Sequence, residues 1–250
     1  MSSVIVITKN EEDNLTRCLE SVKWADEIIV VDSESIDATV EIAKNFGAKV
    51  FVKKWEGYGA QKNFAIDKTT NDWILSIDAD EEVSPELHEE IKKIIQNPGN
   101  YVAFKTPRKL IFQGKFLRRG GCYPNYQIRL FHKDKAKFNL DFVHEKLVVN
   151  GRIGLLKGSL LHYSYNDLSD YFDRFNRYTT LDAQKRFSKG KKFYFWYYIQ
   201  PLLRFFNMYF LRLGFLDGSR GLIWAILSSF YNFAKFQKLK ELWEGKNEEK

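Results

Sequence analysis

The sequence predicts an α/β protein built on a mostly parallel β-sheet. Four short, apolar, β-prone runs lie in the first third of the chain, and segments with helical character separate them. Strands that alternate with helices are typical of a doubly wound sheet with helices on both faces. Polar or acidic residues follow three of the four runs, and in such sheets ligands bind beyond the carboxyl ends of the strands.

Each element of this fold has its own signal. The four predicted strands are residues 4–7, 27–32, 49–52 and 73–77. The predicted helices between them are residues 14–22, 39–46 and 60–68. Gly47 follows the second helix as a C-cap, and Gly57-Tyr58-Gly59 precedes the third. After the fourth strand, Ser84-Pro85-Glu86 predicts a further helix, with serine as N-cap and proline in the first turn.

The glycine pattern does not support two common nucleotide-binding folds. The turn after the first strand lacks the three glycines of a dinucleotide-binding unit, and Gly57-Tyr58-Gly59 supplies only two. The chain also lacks a phosphate-binding loop of the Gly-x-x-x-x-Gly-Lys-Ser/Thr type.

Two carboxylates mark the end of the fourth strand. Asp78 and Asp80 follow it with the small residue Ala79 between them. Such a pair can hold Mg²⁺ or Mn²⁺ through oxygen ligands, and the metal can in turn bind a diphosphate. The alternative is a solvent-exposed loop ahead of the next helix, and the Asp-x-Asp pattern alone does not separate the two.

Composition narrows the class of protein. The net charge of +7 suits an anionic partner, such as a nucleoside diphosphate, a nucleic acid or an acidic membrane surface. Cys18 and Cys122 are too few for a disulfide framework, which favours a reducing cytosol. The N-terminus runs directly into a strand and shows no export signal.

Four motifs then occur in an order that resembles one enzyme family. They are Thr8-Lys9-Asn10-Glu11-Glu12, Val30-Val31-Asp32-Ser33 with Asp37-Ala38-Thr39, Gly59-Ala60-Gln61-Lys62-Asn63, and Asp78-Ala79-Asp80-Glu81. As a set they resemble family-two inverting glycosyltransferases of GT-A fold, and within that family the chain is similar to bacterial lipopolysaccharide-core β-1,4-glucosyltransferases. Shorter motifs of the same subgroup follow, namely Gln127-Ile128-Arg129-Leu130-Phe131, Val143-His144-Glu145 and His162-Tyr163-Ser164-Tyr165.

The resemblance implies a site for a UDP-sugar. It places the base at Asp32, whose carboxylate can accept the imide proton of uracil, although Asp32 could instead cap its loop. Three further side chains would line the same pocket, namely Thr8, Asn10 and Glu11, with helix N-capping as the alternative for Asn10. Lys62 would face the base and ribose or the phosphates, unless it lies on a solvated helix face.

The resemblance also implies the catalytic groups. Asp78 would contact the ribose, and a divalent metal, Mg²⁺ or Mn²⁺, would be held by Asp80 with Asp78 and His162. The acceptor hydroxyl must lose a proton, and Glu145 matches the family's base position, so we prefer it to Asp141. His144 is a further polar candidate. For His162, a structural role or a phosphate contact is the alternative to metal binding.

The second half of the chain is richer in basic and aromatic residues than the first. Residues 101–137 contain ten Lys/Arg and one acid, and residues 193–210 contain ten aromatic residues. The uncharged runs are shorter than the roughly 20 residues that cross a bilayer, and their basic flanks are typical of helices lying in a membrane interface. Packing on the domain or on a dimer partner is the alternative. We predict a glycosyltransferase domain at 1–170, with a nucleotide half at 1–98 and an acceptor half at 99–170, and a helical appendage at 171–250.

The predicted function is metal-assisted transfer of a sugar, with UDP-glucose as the suggested donor, to a lipid-linked or glycolipid saccharide. We expect the protein at the cytoplasmic face of the inner membrane, with no nucleic-acid partner. One alternative is a nucleotidyltransferase of similar α/β plan, but the first turn lacks the glycine-rich loop of that class. The other is a non-enzymatic basic module for membranes or nucleic acids, which leaves the clustered carboxylates unexplained because acids repel phosphates.

Overall fold

The computed structural model describes residues 1–140, 145–165 and 167–248. It confirms the predicted α/β class, with a mostly parallel sheet, flanking helices and a helical C-terminal region. The chain forms two compact units. The first comprises Met1–Lys109 and Asn125–His162, and the second comprises Leu110–Pro124 and Tyr163–Lys250. Residues 110–124 therefore group with the C-terminal helices, whereas the predicted division placed them with the N-terminal domain.

The first unit begins with four parallel strands in the order β3-β2-β1-β4. They are β1 (Ser2–Thr8), β2 (Glu27–Asp32), β3 (Lys49–Val52) and β4 (Trp73–Asp78). The helices between them are α1 (Glu12–Glu20), α2 (Thr39–Asn45) and α3 (Tyr58–Lys68). All four predicted strands are confirmed, and β2 and β3 match their predicted bounds residue for residue.

Of the remaining strands, most extend this sheet in antiparallel pairs, one joins it in parallel, and two form a separate two-stranded sheet. The elements are β5 (Glu81–Val83), α4 (Pro85–Gln96), β6 (Tyr101–Phe112), β7 (Lys115–Phe116), β8 (Asn125–His132), β9 (Ala136–Phe138), β10 (Leu147–Val149), β11 (Arg152–Leu155) and β12 (Leu160–His162). Strand β8 pairs antiparallel with both β4 and β6, and β12 pairs antiparallel with β5. The N-cap of α4 is confirmed, because the Ser84 side chain accepts a hydrogen bond from the Leu87 N–H.

Apolar side chains on both faces of the sheet bury the strands. On one face, Val4, Val6 and Leu75 pack in one cluster with Leu15 and Leu19 of α1. On the other face, the cluster comprises Ile5, Ile29, Ile74, and Ala65 and Ile66 of α3. Burial on both faces explains why the strands read as continuous apolar runs. The polar residues at the strand ends are therefore attached to strands that are packed on both faces.

The second unit is mainly helical. Its helices are α5 (Leu168–Ser188), α6 (Gln200–Phe206) and α7 (Gly218–Glu248). Residues 110–124 belong to it because Phe112 and Leu117 share a core with Tyr171 and Leu227. The Arg119 N–H also donates to the Asp217 carboxylate at 2.8 Å. Among the described residues, no helix combines the length and the apolar character that crossing a bilayer requires.

Candidate active site

The carboxyl ends of β1 and β2 are joined by the side chain of Asp32. This residue is only 1% exposed, and it accepts a hydrogen bond from Thr8 Oγ1 at 2.9 Å. It also accepts bonds from the Ser35 N–H at 2.8 Å and the Ser35 hydroxyl at 2.6 Å. A buried carboxylate needs such partners. Asp32 therefore orders the loop after β2, and its predicted contact with a base stays a prediction.

Asn10 and Glu11 connect the same two loops. The Asn10 side-chain oxygen accepts from the Ile36 N–H at 3.0 Å, and Asn10 has a left-handed φ of 54°. The side chain therefore does not cap α1, which was the alternative considered for it. The Glu11 N–H donates to Thr39 Oγ1 at 2.8 Å, and its carboxylate accepts from Asn14 at 3.0 Å. These bonds preorganise the loops that flank the predicted nucleotide pocket.

Helix α3 contacts two neighbouring segments through alternate residues. A Cβ on Gly59 would lie 2.0 Å from the Asn139 carbonyl oxygen, so only glycine permits this approach of the helix. Gln61 is fully buried and donates to Ser33 Oγ at 3.0 Å. Asn63 both donates to the Phe138 carbonyl and accepts from its N–H, each at 2.9 Å. These contacts explain the glycine, glutamine and asparagine of the Gly-Ala-Gln-Lys-Asn motif, because each of the three has a specific neighbour.

Lys62 is the central cation of the site. Its Nζ lies 3.1 Å from Asp78 Oδ1 and 3.0 Å from Glu145 Oε1. The residue is 4% exposed, so the alternative of a solvated helix face is wrong. A buried lysine is stable only when its charge is paired, and here two carboxylates share it. The structure thus brings three of the predicted site residues together: Lys62, Asp78 and Glu145.

Asp78 is held from a second side by Arg129. The Arg129 guanidinium donates to Asp78 Oδ2 at 2.6 Å. Burial alone would raise the pKa of Asp78, but the attraction of Arg129 and Lys62 outweighs it and holds that pKa well below its ordinary value. Asp78 is therefore an ionised carboxylate with both oxygens bound to cations.

Glu81 binds both Arg129 and the backbone of Asp78. It is fully buried, and it accepts from Arg129 at 2.6 Å and from the Asp78 N–H at 3.0 Å. Arg108 adds a weaker contact at 3.4 Å. The sequence did not indicate the Glu81–Arg129 pair. It left a solvent-exposed loop as one alternative after Asp80, whereas Glu81 belongs to β5. Arg129 could have been suspected from its place in an alternating strand between apolar neighbours.

Asp80 and His162 form a second pair at the same sheet edge. The His162 Nε2 lies 3.3 Å from Asp80 Oδ2, and both side chains are largely buried. Strand pairing explains the meeting, because His162 lies opposite Glu81 in the β12–β5 ladder. A carboxylate and an imidazole are ligands that Mn²⁺ accepts, and a bound diphosphate supplies further oxygens. Within the described residues, no group of three or more His, Cys, Asp or Glu could hold a metal by itself.

The candidate base, Glu145, is described, but its alternatives are not. Asp141 and His144 lie outside the described residues. Glu145 is linked to α3 through Lys62, and its side chain is 17% exposed. A carboxylate that is partly accessible and fixed on one side can meet an acceptor hydroxyl on the other.

Comparison with known proteins identifies the family of the chain. Residues 3–152 match the family described as Glycosyl transferase family 2. A protein of Rickettsia typhi named an uncharacterized glycosyltransferase is 39% identical and covers 96% of this chain and 87% of its own. The lipopolysaccharide core biosynthesis glycosyltransferase LpsC of Rhizobium meliloti is 29% identical over 95% of this chain and 91% of its own.

A solved structure resembles a smaller part of the chain. Glucosyl-3-phosphoglycerate synthase of Mycobacterium tuberculosis, in complex with Mn²⁺, UDP and glucosyl-3-phosphoglycerate, covers 44% of this chain and 44% of its own. Its sequence identity is 23% and the TM-score is 0.40. The family match spans more than half of the chain and the Rickettsia relative nearly all of it, so this protein belongs to glycosyl transferase family 2 and is a glycosyltransferase.

Proposed function

We propose that this enzyme moves a sugar from a UDP-sugar to a membrane-associated saccharide, with inversion at the anomeric carbon. UDP-glucose is the donor to test first. The observation that carries the proposal is the position of Lys62 between Asp78 and Glu145, at 3.1 and 3.0 Å. Lys62 joins Asp78, at the end of the sheet where we place the donor, to Glu145, whose carboxylate is suited to deprotonate an acceptor.

The proposed reaction is a single displacement. The acceptor oxygen forms a bond to the anomeric carbon while the bond from that carbon to the diphosphate oxygen breaks, and the electron pair leaves with the diphosphate. The hydroxyl proton passes to Glu145. Lys62 binds Glu145 through Oε1, and we assign the other oxygen, Oε2, to the proton. Lys62 is thus a positioning residue, because it fixes the orientation of the base.

The donor contacts follow from the strand ends. We assign Asp78 to the ribose, and Thr8, Asn10, Glu11 and Asp32 to the lining of the nucleotide pocket. Asp80 and His162 would hold Mg²⁺ or Mn²⁺. Asp78, the third predicted metal ligand, has Arg129 and Lys62 on its two oxygens in this structure. A divalent cation at Asp80 would supply positive charge against the leaving diphosphate.

The proposed acceptor rests on a relative of this chain. The relative LpsC is named for lipopolysaccharide core biosynthesis, which supports a lipid-linked or glycolipid saccharide as acceptor. Such an acceptor is held by a membrane, so we place the enzyme at the cytoplasmic face of the inner membrane.

A donor screen tests this function. The enzyme is incubated with Mn²⁺ and a panel of UDP-, GDP- and CMP-sugars, and released nucleotide is measured by mass spectrometry. We expect release of UDP from one UDP-sugar and metal-dependent binding of UDP. Release from none, together with tight binding of duplex DNA, would favour the basic binding module instead.

A further inference from the structure

The second unit exposes many apolar side chains between residues 195 and 211. Phe195, Leu202 and Leu211 are 78%, 71% and 65% exposed. We call the outward-facing set the apolar shelf; its members are Phe195, Ile199, Leu202, Phe206, Phe210 and Leu211. Ile199, Leu202, Phe206 and Phe210 are three or four residues apart, which places them on one helical face. An exposed apolar face of this kind marks a binding surface.

The shelf is held in place from its inner side. Pro201 and Met208 point inward and are buried. A Cβ on Gly214 would lie 2.6 Å from the Met208 carbonyl oxygen, so the chain packs too closely there for any side chain. Tyr197 also stacks on Phe236 of α7 with ring centroids 4.0 Å apart. The exposed side chains therefore face outward because their backbone is fixed.

The segment that carries the shelf is rich in cations. Residues 183–216 contain seven Lys/Arg and no Asp or Glu. The Arg212 side chain crosses the turn at Gly121, where a Cβ would lie 2.3 Å from Nη1. Arg186 and Lys235 both lie over the ring of Phe236, at 5.3 and 4.9 Å. In the described part of the chain, none of Arg186, Arg204, Arg212 or Lys235 forms an ion pair with a carboxylate.

These cations repel one another. Burial lowers the pKa of Arg204, and the charge of Arg212 lowers it further. Burial, together with Arg186 and Arg204, lowers the pKa of Lys235 to about 8, against the opposing effect of Asp182. Arg204 and Arg212 form what we call the rim of the shelf. An anion bound beside them would relieve this repulsion, so the rim is complementary to negative charge.

We propose that the apolar shelf and its rim bind an anionic lipid surface, with Arg204 and Arg212 on the lipid phosphates. The shelf supplies apolar side chains for the headgroup boundary, and the guanidinium groups supply phosphate ligands. A second copy of this chain fits less well, because it would bring its own Arg204 and Arg212 to the same contact. This membrane contact deepens the proposed function and rests on it in one respect. It serves the enzyme because the proposed acceptor is held by a membrane.

Liposome co-sedimentation of the full chain tests this surface. Vesicles of phosphatidylcholine are compared with vesicles that also contain phosphatidylglycerol, for the wild type and for Arg204→Gln, Arg212→Gln and Leu202→Ser. Each arginine variant should bind anionic vesicles about fivefold more weakly, the equivalent of ~1 kcal/mol per charge near such a surface. Leu202→Ser should weaken binding to both vesicle types. Arg177→Gln, an exposed charge on α5, is the matched control and should bind like the wild type.

Three further measurements keep the outcomes separate. Equal binding by all variants, or a loss in Arg177→Gln as large as in Arg204→Gln, would overturn the inference. Self-association at the shelf without lipid, or displacement from vesicles by millimolar glycerol phosphate, would also overturn it, in favour of a dimer or a soluble phosphate. UDP-sugar hydrolysis is measured in solution on the same samples. Hydrolysis that persists when vesicle binding is lost supports the inference, whereas vesicle binding without hydrolysis counts against the proposed function alone.

Discussion

Lys62 and Glu145 are 83 residues apart in the sequence, yet the lysine Nζ lies 3.0 Å from a carboxylate oxygen of the glutamate. The same Nζ lies 3.1 Å from Asp78, so one buried cation joins α3, the end of β4 and the segment that carries the candidate base. We regard this three-residue link as the organising feature of the site.

Replacing the central cation should impair turnover more than donor binding. Lys62→Met leaves Glu145 without the contact that orients it, and a displacement of about 1 Å can cost roughly a hundredfold in rate. We expect a loss of kcat of that order, with partial recovery in Lys62→Arg. Steady-state kinetics on UDP-sugar hydrolysis measures it. Lys68→Met, an exposed lysine on the same helix, is the control, and an equal loss there would argue against a specific role.

Removing a metal ligand should abolish metal-dependent donor binding but leave the fold intact. Asp80→Ala removes a carboxylate at a strand end, outside the apolar clusters of the core. We expect no UDP binding in Mn²⁺ by calorimetry and an unchanged circular dichroism spectrum, with a smaller loss for His162→Gln. Asp67→Ala on α3 is the control. Full activity of Asp80→Ala, or of the wild type in excess EDTA, would contradict the metal assignment.

The Glu81–Arg129 pair should matter for stability. Arg129→Met leaves the fully buried Glu81 carboxylate with only the 3.4 Å contact from Arg108 among its guanidinium partners. Breaking a buried ion pair from one side costs about 3 kcal/mol. We expect a loss of that size in urea unfolding and partial recovery in the double variant Glu81→Gln/Arg129→Met. A double variant whose loss of stability equals the sum of the two single losses would mean that the two residues do not interact.

Glu27 should make stability depend on pH in the acid range. Burial opposes ionisation, but hydrogen bonds from Lys49, Ser3 and the Thr70 N–H lower the pKa of Glu27 from 4.5 to about 2. A lowered pKa stabilises the folded state above pH 4.5, and that stabilisation is lost as the pH falls from 4.5 towards 2. Glu27→Gln should therefore cost about 2 kcal/mol at pH 7 and progressively less below pH 4. Urea unfolding at several pH values checks this, with the exposed Glu20→Gln as control.

The sequence was sufficient for the parallel half of the sheet but not for its antiparallel edge. Strands β1 to β4 are apolar runs, and local pattern alone indicates them. Strand β5 is three residues long and acidic, and it exists because it pairs with β12 far along the chain. For the same reason Glu81 looked solvent-exposed in the sequence, although it is fully buried.

In the site, too, the sequence indicated single residues but not their long-range contacts. Asp78, Lys62 and Glu145 were each selected by residue type and resemblance, and the structure brings them together. Their ion pairs depend on long-range folding, which spacing in the sequence does not encode. Arg129 was missed because its function is to bind two carboxylates that its own strand does not contain.

The most direct test of the account is the turnover of Glu145→Gln. This change keeps size and hydrogen bonding but removes basicity, so glycosyl transfer should fall by roughly a hundredfold or more while UDP binding by calorimetry stays unchanged. Glu41→Gln, an exposed glutamate on α2, should behave like the wild type. The account is contradicted if Glu145→Gln turns over at the wild-type rate, or if Asp141→Asn shows this loss and Glu145→Gln does not.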